Sequence, residues 1–201
     1  MTRPTRGTSE RWLEAAYAAL VAGGVEAVRV APLSDALGLS RTSFYGHFDS
    51  REALLDALLD RWRAKNTGNL IARTEAYAES VGEALFNLFD CWIDPALFDA
   101  DFDRAVRHWA LADAATKAAV EEADRQRIDA IAALFERFGR SPEVARIRAY
   151  AVYYTQIGYI AMMVREAIPD RIDRMPLYIE TFAGEPPSAG EIARFRARHL
   201  G

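Results

Sequence analysis

The chain has 201 residues, 51% hydrophobic and 27% charged, with 12 glycines and 8 prolines, a composition that excludes a disordered, collagen-like or low-complexity polypeptide. Its length suits one large domain or two small ones, and its single cysteine, Cys91, rules out an internal disulfide. A formal net charge of −4 speaks against a nucleic-acid partner on its face, but the first 65 residues hold 9 basic and 8 acidic groups, leaving 16 and 21 to the rest. Only Lys65 and Lys117 are lysines, so nearly every cation is a guanidinium, the group suited to forked contacts with phosphate or carboxylate.

Residues Met1 to Gly7 run into an amphipathic segment rather than a secretory hydrophobic region, and the expected location is cytoplasmic. Leu13, Ala16, Tyr17, Leu20 and Val21 mark one face of a first helix, ended by Gly23-Gly24. Leu33, Ala36 and Leu37 belong to a second, followed by Gly38-Leu39-Ser40 and a third carrying Phe44 and Phe48. A fourth opens at Asp49-Ser50-Arg51-Glu52, with Asp49 as the expected N-cap, and runs through Leu54, Leu55, Leu58, Leu59 and Trp62 to about Lys65. Further helices are predicted over 72–92, 102–112, 115–138, from Ser141-Pro142 to Glu166, over about 175–182, and after Ser188. No segment shows sustained alternation. The expected fold class is all-α with about nine or ten helices, divided into residues 1–65 and 66–201.

Two short helices joined by a glycine turn let the second enter a DNA major groove, since the turn needs a residue with positive φ. Arg41, Thr42 and Ser43 open that second helix and are candidates for base and near-backbone contacts, with Ser40 as N-cap presenting backbone N–H groups to a phosphate. The whole run Leu33-Ser34-Asp35-Ala36-Leu37-Gly38-Leu39-Ser40-Arg41-Thr42-Ser43-Phe44-Tyr45-Gly46-His47-Phe48-Asp49-Ser50-Arg51-Glu52-Ala53-Leu54-Leu55 resembles the helix-turn-helix signature of the tetracycline-repressor (TetR) family. The resemblance covers residues 8–65 closely, and the remainder only in being an all-helical domain of the right length.

The resemblance implies a phosphate contact from Tyr45, a role for the adjacent His47, core positions for Phe44 and Phe48, and a second phosphate contact from Arg51 at the start of the fourth helix. A basic arm with Arg3 and Arg6 is expected to add to these. Two departures stand out. Val28-Arg29-Val30-Ala31-Pro32 lacks the family's capping Ser or Thr, so Pro32 is expected to start the second helix and Arg29 to take over the lost phosphate contact. Gly46 carries no side chain where relatives place a reading residue, which shifts weight toward DNA shape.

In the larger region Phe89, Trp92, Trp109, Tyr153 and Tyr159 combine ring walls with hydroxyl and indole donors, as a cavity for a small apolar or aromatic effector requires. The resemblance implies such an effector. Residues 149–164 are the longest uncharged stretch, 16 residues against about 20 needed to cross a bilayer, and no membrane partner is expected. That stretch is apolar on every face, so it is expected to be buried all round, one side against its own core and another, with Ala151, Tyr154, Thr155, Gly158 and Met162, in a homodimer seam shared with the helix around 175–182. No nucleophile elbow, Gly-rich phosphate loop or metal-binding His motif occurs, and neither catalysis, a cofactor nor a metal is expected. The reading is a ligand-responsive, homodimeric regulator, a repressor of a palindromic double-stranded DNA operator. The alternative is an all-α protein whose larger domain is catalytic or a carrier, the N-terminal unit serving only docking or dimerisation.

Overall fold

The computed structural model describes residues 6–201, with side chains from Ser9 onward; Arg3 and the side chain of Arg6 lie outside that range. Among the described residues the chain is helical with no strand, ten helices when the unbroken run from Arg51 to Glu75 counts as one. These are α1 (Arg6–Gly23), α2 (Val30–Leu37), α3 (Arg41–Tyr45), α4 (Arg51–Trp62) continued by a π-helical segment (Arg63–Gly68) into α5 (Asn69–Glu75), α6 (Val81–Ile93), α7 (Ala100–Trp109), α8 (Ala114–Arg137), α9 (Pro142–Ala161), α10 (Ile168–Ala183) and α11 (Ala189–Leu200). A 3₁₀ turn, Val25–Ala27, separates α1 from α2.

The chain divides into two compact units, residues 1–64 with 101–121, and residues 65–100 with 122–201. The first crossing between the units falls between residues 64 and 65, and α7 and the start of α8 join the N-terminal unit. Packing explains this. Phe102 sits edge-on to Tyr17 at 5.0 Å, and the buried Asp103 carboxylate accepts a hydrogen bond from the Trp62 indole at 2.9 Å and another from Arg107 at 2.7 Å.

In the first unit α1 buries Trp12, Ala16 and Leu20, so its inner face is centred one residue earlier than the spacing of Leu13 and Tyr17 suggested. α2 starts at Val30, two residues before the expected Pro32, which occupies the first turn where a missing N–H costs nothing. α4 is capped by Ser50, not Asp49: the Ser50 hydroxyl accepts from the Ala53 amide at 3.1 Å.

In the second unit the helix buried on all sides is α6, where every residue except Glu83 is buried. In α9, Ala149, Val152, Tyr153 and Gln156 are buried, while Ala151, Tyr154 and Thr155 face outward, on the side expected to meet a second copy. α6 tolerates two buried polar groups because both are paired: Asp90 accepts from Arg73 and His199, and Asn87 meets the Tyr77 carbonyl and Arg198. The helix predicted over 72–92 breaks at 76–80, and Ser80 starts a new one by accepting from the Glu83 amide at 3.0 Å. α9 stops at Ala161, short of Glu166, with Met163 at φ 53 just beyond. Pro169 opens α10 instead of merely ending its predecessor, and that helix is twice the predicted length, with Pro176 inside it.

Candidate nucleic-acid interface and effector region

Three aromatic contacts position α3. Phe44 is fully buried, edge-on to Trp12 at 5.2 Å and stacked on Phe48 at 5.6 Å, while Tyr45 packs edge-on to Phe44 at 5.2 Å. Burying two large rings of this kind stabilises by roughly 1.5–3 kcal/mol each, enough to hold a helix of five residues that could not persist alone. Gly38 makes the preceding turn at φ 63, as the glycine turn requires, and its amide bonds back to Asp35. Arg11 donates to the last carbonyl of α2, Leu37, at 3.3 Å.

On this scaffold Arg41, Thr42 and Tyr45 are exposed, Tyr45 to 59%, whereas Ser43 and His47 are half-buried. Ser40 caps α3, its hydroxyl accepting from the Ser43 amide at 3.1 Å, so that amide is occupied and the first-turn side chains carry the outward chemistry. Arg29 is exposed and occupies the N-cap position of α2 without a side-chain cap. Arg51 departs from the expected phosphate contact. Its guanidinium turns inward, Nε donating to the Val28 carbonyl at 2.6 Å and Nη2 to the Val25 carbonyl at 2.8 Å. It clasps the 3₁₀ turn to the start of α4, and the cation at the wrong end of a helix dipole is stabilised by those carbonyls.

The five expected effector residues fall in both units. Trp109 belongs to the first unit; Phe89, Trp92, Tyr153 and Tyr159 belong to the second. Phe89 lies edge-on to Trp92 at 5.2 Å and stacks on Phe182 at 6.1 Å. Tyr153 is buried and its hydroxyl is committed, donating to Asp124 at 2.6 Å and accepting from the buried Arg127 at 3.1 Å. Tyr159 is half-buried and donates to Glu166; burial, and then that bond, push its hydroxyl up to about 12. Arg171 stacks over the Tyr159 ring at 4.6 Å and donates to the Trp92 carbonyl at 2.7 Å. Burial pushes the Cys91 thiol up to about 12, consistent with a packing role.

The expected seam residues Ala151, Tyr154, Thr155 and Met162 are exposed, and Gly158 has open space where a Cβ would stand. Ile147 on α9 and Leu177 and Tyr178 on α10 are exposed as well. No group of three or more His, Cys, Asp or Glu arranged to hold a metal occurs among the described residues, and no helix there is long and apolar enough to cross a membrane.

The two helices, the left-handed glycine and the exposed first turn of α3 define a helix-turn-helix protein. Residues 13–58 match the N-terminal domain model of bacterial regulatory proteins of the tetR family. The chain has a TetR-like fold, an N-terminal helix-turn-helix domain followed by a larger helical domain. A protein from Mesorhizobium loti assigned to the TetR-family transcriptional regulators superposes with a TM-score of 0.61 at 16% identity, over 97% of this chain and 98% of that one. A transcriptional regulator from Rhodococcus sp. Rha1 gives 0.58 at 19%, over 94% and 96%. The fatty acid degradation regulator FadR from Bacillus halodurans gives 0.60 at 14%, over 90% and 95%. No curated protein matches the sequence.

Proposed function

We propose that the chain is a ligand-responsive transcriptional repressor that binds a palindromic operator as a homodimer in the cytoplasm and is released by a small effector. The observation that carries this reading is the exposed first turn of α3, with Arg41, Thr42 and Tyr45 held outward on the buried Trp12–Phe44 pair, within the segment that matches the tetR family. Arg41 and Thr42 read base edges, Ser43 contributes from its half-buried position, and Tyr45, Arg29 and His47 reach the phosphates around Ser40 and α3. Arg3 and Arg6 extend the contact as a basic arm. Arg51 supports the domain from within.

A palindrome requires two recognition helices about 34 Å apart or a multiple of it, which one copy cannot supply. The outward side of α9, through Ala151, Tyr154, Thr155, Gly158 and Met162, is the surface on which a second copy packs. Selection of bound duplex from a random pool tests the reading. A recovered palindrome, bound with an affinity that falls steeply with salt, supports it; a protein that enriches no sequence refutes it.

A further inference from the structure

Among the effector candidates of the second unit, the two tyrosine hydroxyls already have partners, Tyr153 in Asp124 and Arg127 and Tyr159 in Glu166. Trp92 differs. It is 8% exposed, and its indole Nε1 is buried with no acceptor within hydrogen-bonding distance. Buried donors in native proteins are met by protein, water or ligand in the great majority of cases, so an unmet one asks for an explanation. Its side chain is flanked by rings, Phe89 at 5.2 Å and Phe98 at 6.4 Å, both edge-on. An ion entering such surroundings would lose its hydration without gaining a counter-charge. Neither cation beside these rings supplies one: Arg171 is bonded to the Trp92 carbonyl at 2.7 Å and to Gln156 Oε1 at 3.2 Å, where it already offsets the negative end of α6, and the buried Arg127 is paired with the Asp124 carboxylate at 3.9 Å. What fits a lone neutral donor between rings is an uncharged acceptor.

Phe98 links this indole to a second feature. It lies in the segment 94–99, which leaves α6 and is gripped by side chains of the helix on which the chain leaves the first unit. The Asn66 amide, fully buried in the π-helical segment, donates to the Asp99 carbonyl and accepts from the Asp99 amide, both at 2.9 Å. Asn69 donates to the Leu97 carbonyl at 2.8 Å. Arg127 lies over the Phe98 ring at 5.4 Å and donates to Thr67 Oγ1 at 2.9 Å. Phe98 therefore packs on the ring that carries the unmet donor, and the next residue in the chain, Asp99, is bonded to the π-helical segment. Such segments are rare and recur at functional sites, because their side-chain partners hold a backbone register that an α-helix would not keep.

We infer that the Trp92 indole N–H is the polar anchor of an uncharged effector with an apolar body and one hydrogen-bond-accepting oxygen, and that Phe98 passes its presence to the π-helical segment through the Asn66–Asp99 clasp. This rests on the reading of the chain as a ligand-responsive regulator and adds the chemical class of the ligand and the residues that report it.

The test uses phenyl alkyl ketones from acetophenone to octanophenone, each against the alkylbenzene of matched length, which lacks the oxygen. Full-length protein carrying 5-fluorotryptophan gives a fluorine resonance for each of its 4 indoles, with that of Trp92 assigned by W92F. The ketones are expected to shift the Trp92 resonance and to bind about tenfold more tightly than their alkylbenzenes, and W92F is expected to erase that preference. In N66A the ketones still shift Trp92 but no longer release the operator duplex recovered from the random pool, as they do in the native protein. Equal binding of ketone and alkylbenzene by the native protein, or no Trp92 shift across the series, overturns the anchor. Release by ketones that persists in N66A, or fails in the native protein, overturns the transmission. The ligand arm needs no DNA, so a failure to recover any operator refutes the proposed function separately.

Discussion

Replacing Arg51 by alanine separates a clasp within the DNA-binding domain from a contact with DNA. The guanidinium makes two hydrogen bonds, at 2.6 Å to Val28 and 2.8 Å to Val25, across 23 and 26 residues of sequence. Hydrogen bonds from a charged group contribute roughly 1.5–3 kcal/mol each, and because the side chain is only half-buried the lower end applies. The expected loss is about 2–3 kcal/mol, which for a chain of 201 residues lowers the unfolding temperature by about 4–12 °C. Arg51→Lys keeps the charge but not the fork, so it should recover at most half of this. Thermal unfolding by circular dichroism reads the stability, and operator binding between 50 and 200 mM salt, on the order of the range over which phosphate contacts are resolved, reads the DNA contact. A clasp leaves the log–log salt slope of the variant unchanged. An unfolding temperature equal to that of the native protein, with a slope shallower by about 0.9 per copy, refutes the clasp and restores the phosphate contact.

Tyr45→Phe removes a hydroxyl from an exposed ring, so operator affinity should fall about fivefold while the unfolding temperature stays constant; a stability loss instead would make Tyr45 a packing residue. Gly38→Ala meets no neighbouring atom, yet φ 63 alone should cost about 1–2 kcal/mol in thermal unfolding, and a neutral result would refute the strain argument. Gly158→Glu places a charge in the proposed seam without a clash inside its own chain, so sedimentation should find a folded monomer with little operator affinity; a dimer would remove this face from consideration. Burial alone would raise the Glu191 carboxyl, but hydrogen bonds from the Ser80 hydroxyl and the Ser188 amide outweigh it and hold the group below 4.5. Its folded value is depressed, so the stability it contributes is present above pH 4.5 and is lost as pH falls through the folded value. Glu191→Gln should flatten that acid limb, and an unchanged profile would show that another carboxylate sets it.

The sequence by itself determined the local features. Gly38 had to make a left-handed turn, Ser40, Ser141 and Ser188 had to cap helices, and the spacing of Leu54, Leu55, Leu58, Leu59 and Trp62 had to form a helical face, because each depends on atoms within about four residues. The same locality made the first turn of α3 legible as a candidate interface, whereas of the contacts that the family resemblance implies Tyr45 is exposed, His47 half-buried and Arg51 turned inward. The local pattern was ambiguous where one signal had two readings: Asp49 and Ser50 both resemble the cap of α4, Pro32 can start a helix or lie in its first turn, Pro169 can end one helix or open the next, and only the backbone path decides.

Tertiary structure alone decided what the long polar side chains do. Arg51 reaches carbonyls more than twenty residues away, Trp62 finds Asp103 at a separation of 41, and Asn66 finds Asp99 at 33. A guanidinium, an indole or an amide is compatible with many partners, and its choice follows from which segments the hydrophobic core brings within 3 Å. The same holds for burial. α6 and the 149–164 stretch are both rich in apolar residues, but only packing shows that α6 is enclosed on every side while the other stretch leaves Tyr154 and Met162 outward, 59% and 76% exposed. Periodicity fixes which residues share a face, whereas the number of faces that are covered depends on neighbours that are distant in the chain.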